Sequence, residues 1–192
     1  MQTLEIIGFK RANLGKSESK KMRREALVPC VLYGANVEQV FFSVPMIMFK
    51  NLVYTPKVHQ VDLNIEGKHY MAILQEIQFH PVSEVILHAD FLVLTDGKSV
   101  KMDIPIKVSG ASPGVQKGGK LVTKVKTLKV SALPENMPDF IEVNVSDLDL
   151  NKSIKVGDLT TNNYTILNSP LVTLASVVLT RALKSAAGAP TK

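Results

Sequence analysis

The chain has 192 residues and a mass of 21.0 kDa, 45% hydrophobic and 21% charged, which fits one large or two small domains with a packed core and excludes a disordered chain. Lys and Arg number 23 against 17 Asp and Glu, a formal net charge of +6 that suits a polyanionic partner. The single cysteine, Cys30, excludes an internal disulfide and the usual thiolate zinc site, and no apolar run reaches the roughly 20 residues that cross a bilayer.

The opening residues Met1-Gln2-Thr3-Leu4-Glu5 lack a basic segment leading into an apolar stretch, so no signal peptide is expected. The expectation is a soluble, cytoplasmic, mildly basic globular protein. Val, Ile, Thr and Phe recur in short runs punctuated by Gly and Pro, the pattern of a mainly β chain. Thr3 to Phe9 reads as a strand and Lys10 to Lys16 as a basic loop. Ser17 to Leu27 reads as a helix with Ser17 or Ser19 as its N-cap. Pro29 stops that helix and opens a strand over Val31 to Tyr33. Gly34-Ala35-Asn36 turns the chain into a strand over Gln39 to Val44. Ser43 and Pro45 suit the start of a second short helix, Pro45 to Val53, ended by Pro56. Val61, Leu63 and Ile65 alternate with Asp62, Asn64 and Glu66, and Glu66-Gly67 turns the strand into a partner over Lys68 to Gln78. After a loop at His80 to Ser83, Val85 to Leu94 is a further strand.

The polar turn Thr95-Asp96-Gly97-Lys98 marks a domain boundary, with residues 1–94 before it and 95–183 after. Strands are expected over Val100 to Val108, Leu121 to Val130, Phe140 to Val145 and Leu171 to Thr180. The Ala-, Ser- and Gly-rich tail, 184–192, is expected to be disordered.

Charge is unevenly spread. Residues 10 to 24 hold seven cations (Lys10, Arg11, Lys16, Lys20, Lys21, Arg23, Arg24) and one acid, Glu18. On a helix Lys16, Lys20, Arg23 and Arg24 form one ridge, with Met22 and Ala26 on another face. Such a ridge is either a solvated surface or a set of ammonium and guanidinium groups for phosphate oxygens. A second basic stretch holds Lys117, Lys120, Lys124, Lys126 and Lys129. There Lys124 and Lys126 share a strand face, suited to keeping an edge strand soluble or to touching RNA.

Site chemistry of an enzymatic kind is thin. His88 and Asp90, two apart on a strand, project to one face, and with His80 they could hold a metal, but the spacing fits no specific metal motif. No Gly-x-Ser-x-Gly elbow is present, and Gly114 to Lys120 lacks phosphate-loop spacing, so it reads as a glycine turn. Cys30, beside Pro29 in an apolar run, reads as a small buried residue.

The segments Arg11, Gly15-Lys16, Ser19-Lys20-Lys21-Met22-Arg23, Pro29-Cys30-Val31-Leu32-Tyr33-Gly34, Gln75 to Pro81 and His88-Ala89-Asp90-Phe91, in this order and spacing, resemble a known family. It is the bacterial large-subunit ribosomal protein number twenty-five, in its long two-domain form (the CTC or general-stress form). Gly110 to Gly114, Lys117 to Gly119 and Leu133 to Pro138 resemble that form's β-rich C-terminal domain. The resemblance implies an N-terminal six-stranded β-barrel with short helices that binds 5S ribosomal RNA at a distorted internal loop, with no catalysis and no cofactor. It implies partners among neighbouring large-subunit RNA and ribosomal proteins, and neither a membrane nor a small-molecule substrate. The positions matching the family's RNA contacts are Arg11, Lys16, Ser19, Lys20, Lys21, Arg23, Tyr33, Gln75, His88 and Asp90. Two departures stand out: Lys20-Lys21 replaces a common Arg-Arg pair, and Phe79 occupies a position that is often basic.

The residue chemistry agrees. The deep, narrow major groove of A-form RNA shuts out side chains, so a protein reads the minor groove or irregular pairs. Gln75 can donate and accept, whereas Asp90 only accepts and suits a base reader or an orienter of His88 or Arg11. Tyr33 offers a ring to pack and a hydroxyl for phosphate or sugar. Two other readings compete: an adaptor using a β-sandwich second domain, and a metal-dependent hydrolase using His80, His88 and Asp90.

Overall fold

The structure, a computed structural model, describes residues 2–180 except Asn36, Pro56, Asp96 and Asn162. The tail expected to be disordered lies outside the described residues. Packing divides the chain into two compact units, one running to Met102 and taking in Leu133–Met137, the other holding Asp103–Ala132 and the chain from Pro138 on.

In the first unit six strands close a barrel: β1 (Gln2–Lys10), β2 (Leu27–Gly34), β3 (Val37–Pro45), β4 (His59–Ile65), β5 (Lys68–Phe79) and β6 (Ile86–Val93). Their order around it is β1-β3-β2-β6-β5-β4. Hairpins supply β2–β3 and β4–β5, both antiparallel, while closure needs two parallel pairs, β1 with β4 and β2 with β6. Alternation sets the inside: Val61, Leu63 and Ile65 of β4 are buried, as are Val28, Cys30 and Leu32 of β2. Phe42, Phe49 and Phe91 anchor this core, with ring centroids 5.8 Å apart for Phe42–Phe91 and 6.3 Å for Phe49–Phe91. Gly8 makes room for that cluster, because a Cβ there would lie 2.6 Å from the Phe42 ring. The β4–β5 turn is the tight two-residue kind, with Glu66 at φ 51 and Gly67 at φ 84, and Asn64 Oδ1 accepts from the Gly67 amide.

Two helices accompany the barrel, α1 (Lys16–Arg24) and α2 (Phe49–Val53), the second preceded by a 3-10 turn at Met46–Met48. The start of each differs from expectation. Gly15, not a serine, stands at the α1 N-cap and no side chain caps it. Ser19 lies within the helix, where its hydroxyl donates to the Gly15 carbonyl. Ser43 is buried in β3 and bonds the Phe9 carbonyl rather than capping a helix. Nor does Pro29 end α1. The helix stops at Arg24, Ala26 at φ 58 turns the chain, and Pro29 sits inside β2, just before the ladder with β6 begins at Cys30↔Ala89. That position lets a residue with no N–H join a strand.

The second unit holds a four-stranded sheet, β10-β7-β9-β12, and a three-stranded one, β11-β13-β8. Its strands are β7 (Val100–Ser109, whose first three residues belong to the first unit), β8 (Lys120–Thr123), β9 (Thr127–Ala132), β10 (Ile141–Asn144), β11 (Ser153–Lys155), β12 (Thr165–Ile166) and β13 (Thr173–Val178), with a short helix α3 (Pro113–Gln116). Val145, Leu148 and Val177 form a core there with Val108, Leu121 and Ile154, drawn from both sheets. The single strand expected over Leu121 to Val130 is two strands in different sheets. Lys124 and Lys126 fall in the link between them and share no strand face. β8, which carries Lys120, is an edge strand, and Lys117 pairs with Asp149 at 2.9 Å.

Candidate nucleic-acid interface

α1 lies against β2 with Glu18, Ser19, Met22 and Arg23 half-buried and Lys16, Lys20, Lys21 and Arg24 exposed. The expected ridge therefore changes by one member. Arg23 turns toward the barrel, where its Nε donates to the Leu87 carbonyl at 3.0 Å. The outward row is Lys16, Lys20 and Arg24, spaced four apart, with Lys21 beside it.

Arg11 follows β1 and is pinned at both ends. Its backbone amide donates to the Phe41 carbonyl at 3.0 Å, and a terminal guanidinium nitrogen donates to the Ser19 hydroxyl at 3.0 Å. Its Nε is buried with no hydrogen-bond partner among the described residues.

On the outer face of β6, His88 Nδ1 lies 2.7 Å from Asp90 Oδ1, and both side chains keep about a quarter of their surface in solvent (29% and 27%). Across β5 the register sets Gln78 opposite His88 and Glu76 opposite Asp90. Gln75 is the extra residue of a bulge between Leu74 and Glu76, and it is exposed. Tyr33, next to last in β2, lies opposite Leu92 of β6. Partial burial, and then the Asp90 and Glu76 carboxylates, push its phenol above the usual tyrosine range. Cys30 is fully buried, and burial followed by the Asp90 charge keeps its thiol protonated, against a smaller opposing pull from Arg11.

Five of the ten candidates, Arg11, Lys16, Ser19, Arg23 and His88, line one open hollow of about 520 Å³ with Leu14, Gly15, Pro29 and Phe41. Asp90 joins it through His88, and Tyr33 lies on β2 opposite Leu92, two residues along β6 from Asp90, outside the hollow's lining. Lys20 and Lys21 face outward from the same helix, and Gln75 stands apart on β5. The hollow sets guanidinium and ammonium donors around an apolar floor, beside a donor–acceptor pair. Such a combination can hold phosphates, pack a sugar or base, and bond a base edge.

Sequence reasoning passes over Leu14, Phe41, Glu76 and Gln78. The last two sit in the Gln75 to Pro81 motif, but the bulge shifts which residues of β5 share a face with His88 and Asp90, and no local pattern shows a bulge. His80 is committed to its own turn, its Nδ1 accepting from the Val82 and Ser83 amides. Among the described residues no three His, Cys, Asp or Glu side chains are grouped to hold a metal ion. Among them, no helix is long and apolar enough to cross a membrane.

Comparison with known proteins gives two family matches. Residues 6–91 match the model of the ribosomal L25p family, and residues 99–181 match that of ribosomal protein TL5, C-terminal domain. The chain is 53% identical over 192 residues to the large ribosomal subunit protein bL25 of Cytophaga hutchinsonii, covering 100% of both chains. It is 54% identical over 187 residues to that of Amoebophilus asiaticus, covering 97% of this chain and 95% of the relative. To that of Porphyromonas gingivalis it is 43% identical over 188 residues, covering 97% and 98%.

Proposed function

Because the chain belongs to the ribosomal L25p family, a structural and non-enzymatic family of the large ribosomal subunit, we propose that its task there is to bind 5S rRNA through the α1 face of the barrel. The same membership makes it a cytoplasmic, ribosome-associated protein. The observation that carries the proposal is the hollow shared by Arg11, Lys16, Ser19, Arg23 and His88. In this reading Lys16, Lys20, Lys21 and Arg24 meet phosphates from the exposed side of α1. Arg11 and Ser19 position the loop, and His88 with Asp90 reads base edges or 2′-hydroxyls. Tyr33 and Gln75 contribute at the margin. In this reading the RNA-binding part is the barrel, within residues 1–94, and the β-rich second unit meets other parts of the subunit.

The test is binding of the full chain to isolated 5S rRNA against a structured RNA of equal length, with cosedimentation on large subunits as the second readout. Preference for 5S rRNA by less than about tenfold sinks the assignment of specificity.

A further inference from the structure

The barrel has a second outer face whose chemistry is the reverse of the first. β4 stands three places from β2 whichever way the strand order is followed, so the face of β1, β4 and β5 points away from the strand that carries α1. The register lays two rows across it, Glu5–Asp62–Met71 and Ile7–Asn64–His69. Phe9 follows on β1 and is 55% exposed, with Ile7 at 44% and Met71 at 40%. A sheet face left to water carries polar residues at such positions. Ile7 and Phe9, side by side on the outer face of β1, and Met71, in the Glu5 row two strands away, depart from that pattern and mark a contact surface. The two rows contain no Lys or Arg, and their charges are the Glu5 and Asp62 carboxylates, the second held 3.1 Å from His69 Nδ1.

We propose that this face docks a basic, apolar-tipped segment of a neighbouring protein in the large subunit. The argument is charge complementarity. Carboxylates beside exposed apolar groups repel a phosphate backbone and attract Lys or Arg, while Ile7, Phe9 and Met71 give such a segment apolar surface to cover. The barrel then bridges two unlike partners, RNA on the α1 face and protein on the β1–β4–β5 face.

The experiment places a benzophenone amino acid at Ile7 or Met71 of the full chain, assembled into large subunits that lack their own copy. Irradiation is expected to join the chain to one subunit protein, at a peptide bearing Lys or Arg. The double variant Glu5→Lys/Asp62→Lys is expected to lose roughly tenfold in retention on washed subunits while its affinity for isolated 5S rRNA stays within about twofold. Ile7→Ser, a single change at an exposed position, is expected to lower retention in the same sense. Cross-links to RNA, or to nothing, overturn the inference, as does retention that is unchanged or tightened by the charge reversal. A chain that cross-links to protein yet fails to bind 5S rRNA would sink the RNA reading and leave this one standing.

Discussion

Arg11 donates to the Ser19 hydroxyl at 3.0 Å, and that hydroxyl donates to the Gly15 carbonyl at 2.9 Å, so the end of β1 is tied to the first turn of α1 through one oxygen. Ser19→Ala removes both bonds and frees the Arg11 guanidinium. The loss expected is about 1 kcal/mol of stability, at the lower end for a charge-assisted bond because the site is partly exposed. The RNA affinity should fall by roughly fivefold to tenfold, since a freed guanidinium must be re-ordered on binding. Thermal unfolding and filter binding read the two effects separately.

The exposed row on α1 predicts the salt dependence. With about four or five phosphate contacts, log affinity for 5S rRNA should fall against log salt with a slope of roughly −3 to −4. Replacing Lys16, Lys20 and Arg24 together by Ala should flatten it by about two to three units. An unchanged slope would mean that these side chains are merely solvated.

Arg23 behaves differently from its neighbours. Its Nε bond to the Leu87 carbonyl fastens α1 to β6 across 64 residues of sequence. Arg23→Ala should therefore loosen the helix, seen as faster amide exchange over Ser19 to Glu25, and Arg23→Lys should not restore it because an ammonium has no Nε donor at that point. Lys20→Ala, on the exposed side, should leave exchange unaltered.

Asp90→Ala should weaken 5S rRNA binding by roughly 1–3 kcal/mol, as for loss of a base-reading side chain, with the barrel still folded by circular dichroism. Tighter binding would make Asp90 a bystander whose charge only repels the RNA.

Tyr33 adds a pH effect. Its phenol ionises less readily in the folded chain than in the unfolded one, through burial and the Asp90 and Glu76 charges. Its share of stability is thus fully present below the unfolded tyrosine value of about 10 and is lost as pH rises through the higher folded value. Tyr33→Phe should make the alkaline decline in stability shallower, as measured by urea unfolding at stepped pH.

Much of the barrel is legible wherever local alternation decides structure. The β4 bounds, His59–Ile65, follow from Val61, Leu63 and Ile65, and Glu66-Gly67 announces its turn. Local pattern misleads where a distant partner decides. Spacing alone puts Arg23 on the outward ridge, because its acceptor lies on a strand far along the chain. Ser19 has the chemistry of a cap and serves instead as the acceptor for Arg11. Pro29 reads as a breaker until the β6 ladder is seen to begin one residue later. The six-stranded closure itself comes from family resemblance, since nothing in the local pattern of β1 announces a parallel partner at His59 to Ile65.

The placing of β6 between β2 and β5 also sets an order of events during synthesis. Until residues 86 to 93 have left the ribosome that makes them, β2 and β5 remain open edges, and neither His88 nor Asp90 exists beside Arg11 and α1. The nascent chain thus displays its α1 lysines early and the His88–Asp90 pair, which the proposed RNA reading makes the base reader, later. On that reading it would meet RNA loosely by charge while still growing, and would tell one RNA from another only once β6 has closed the barrel.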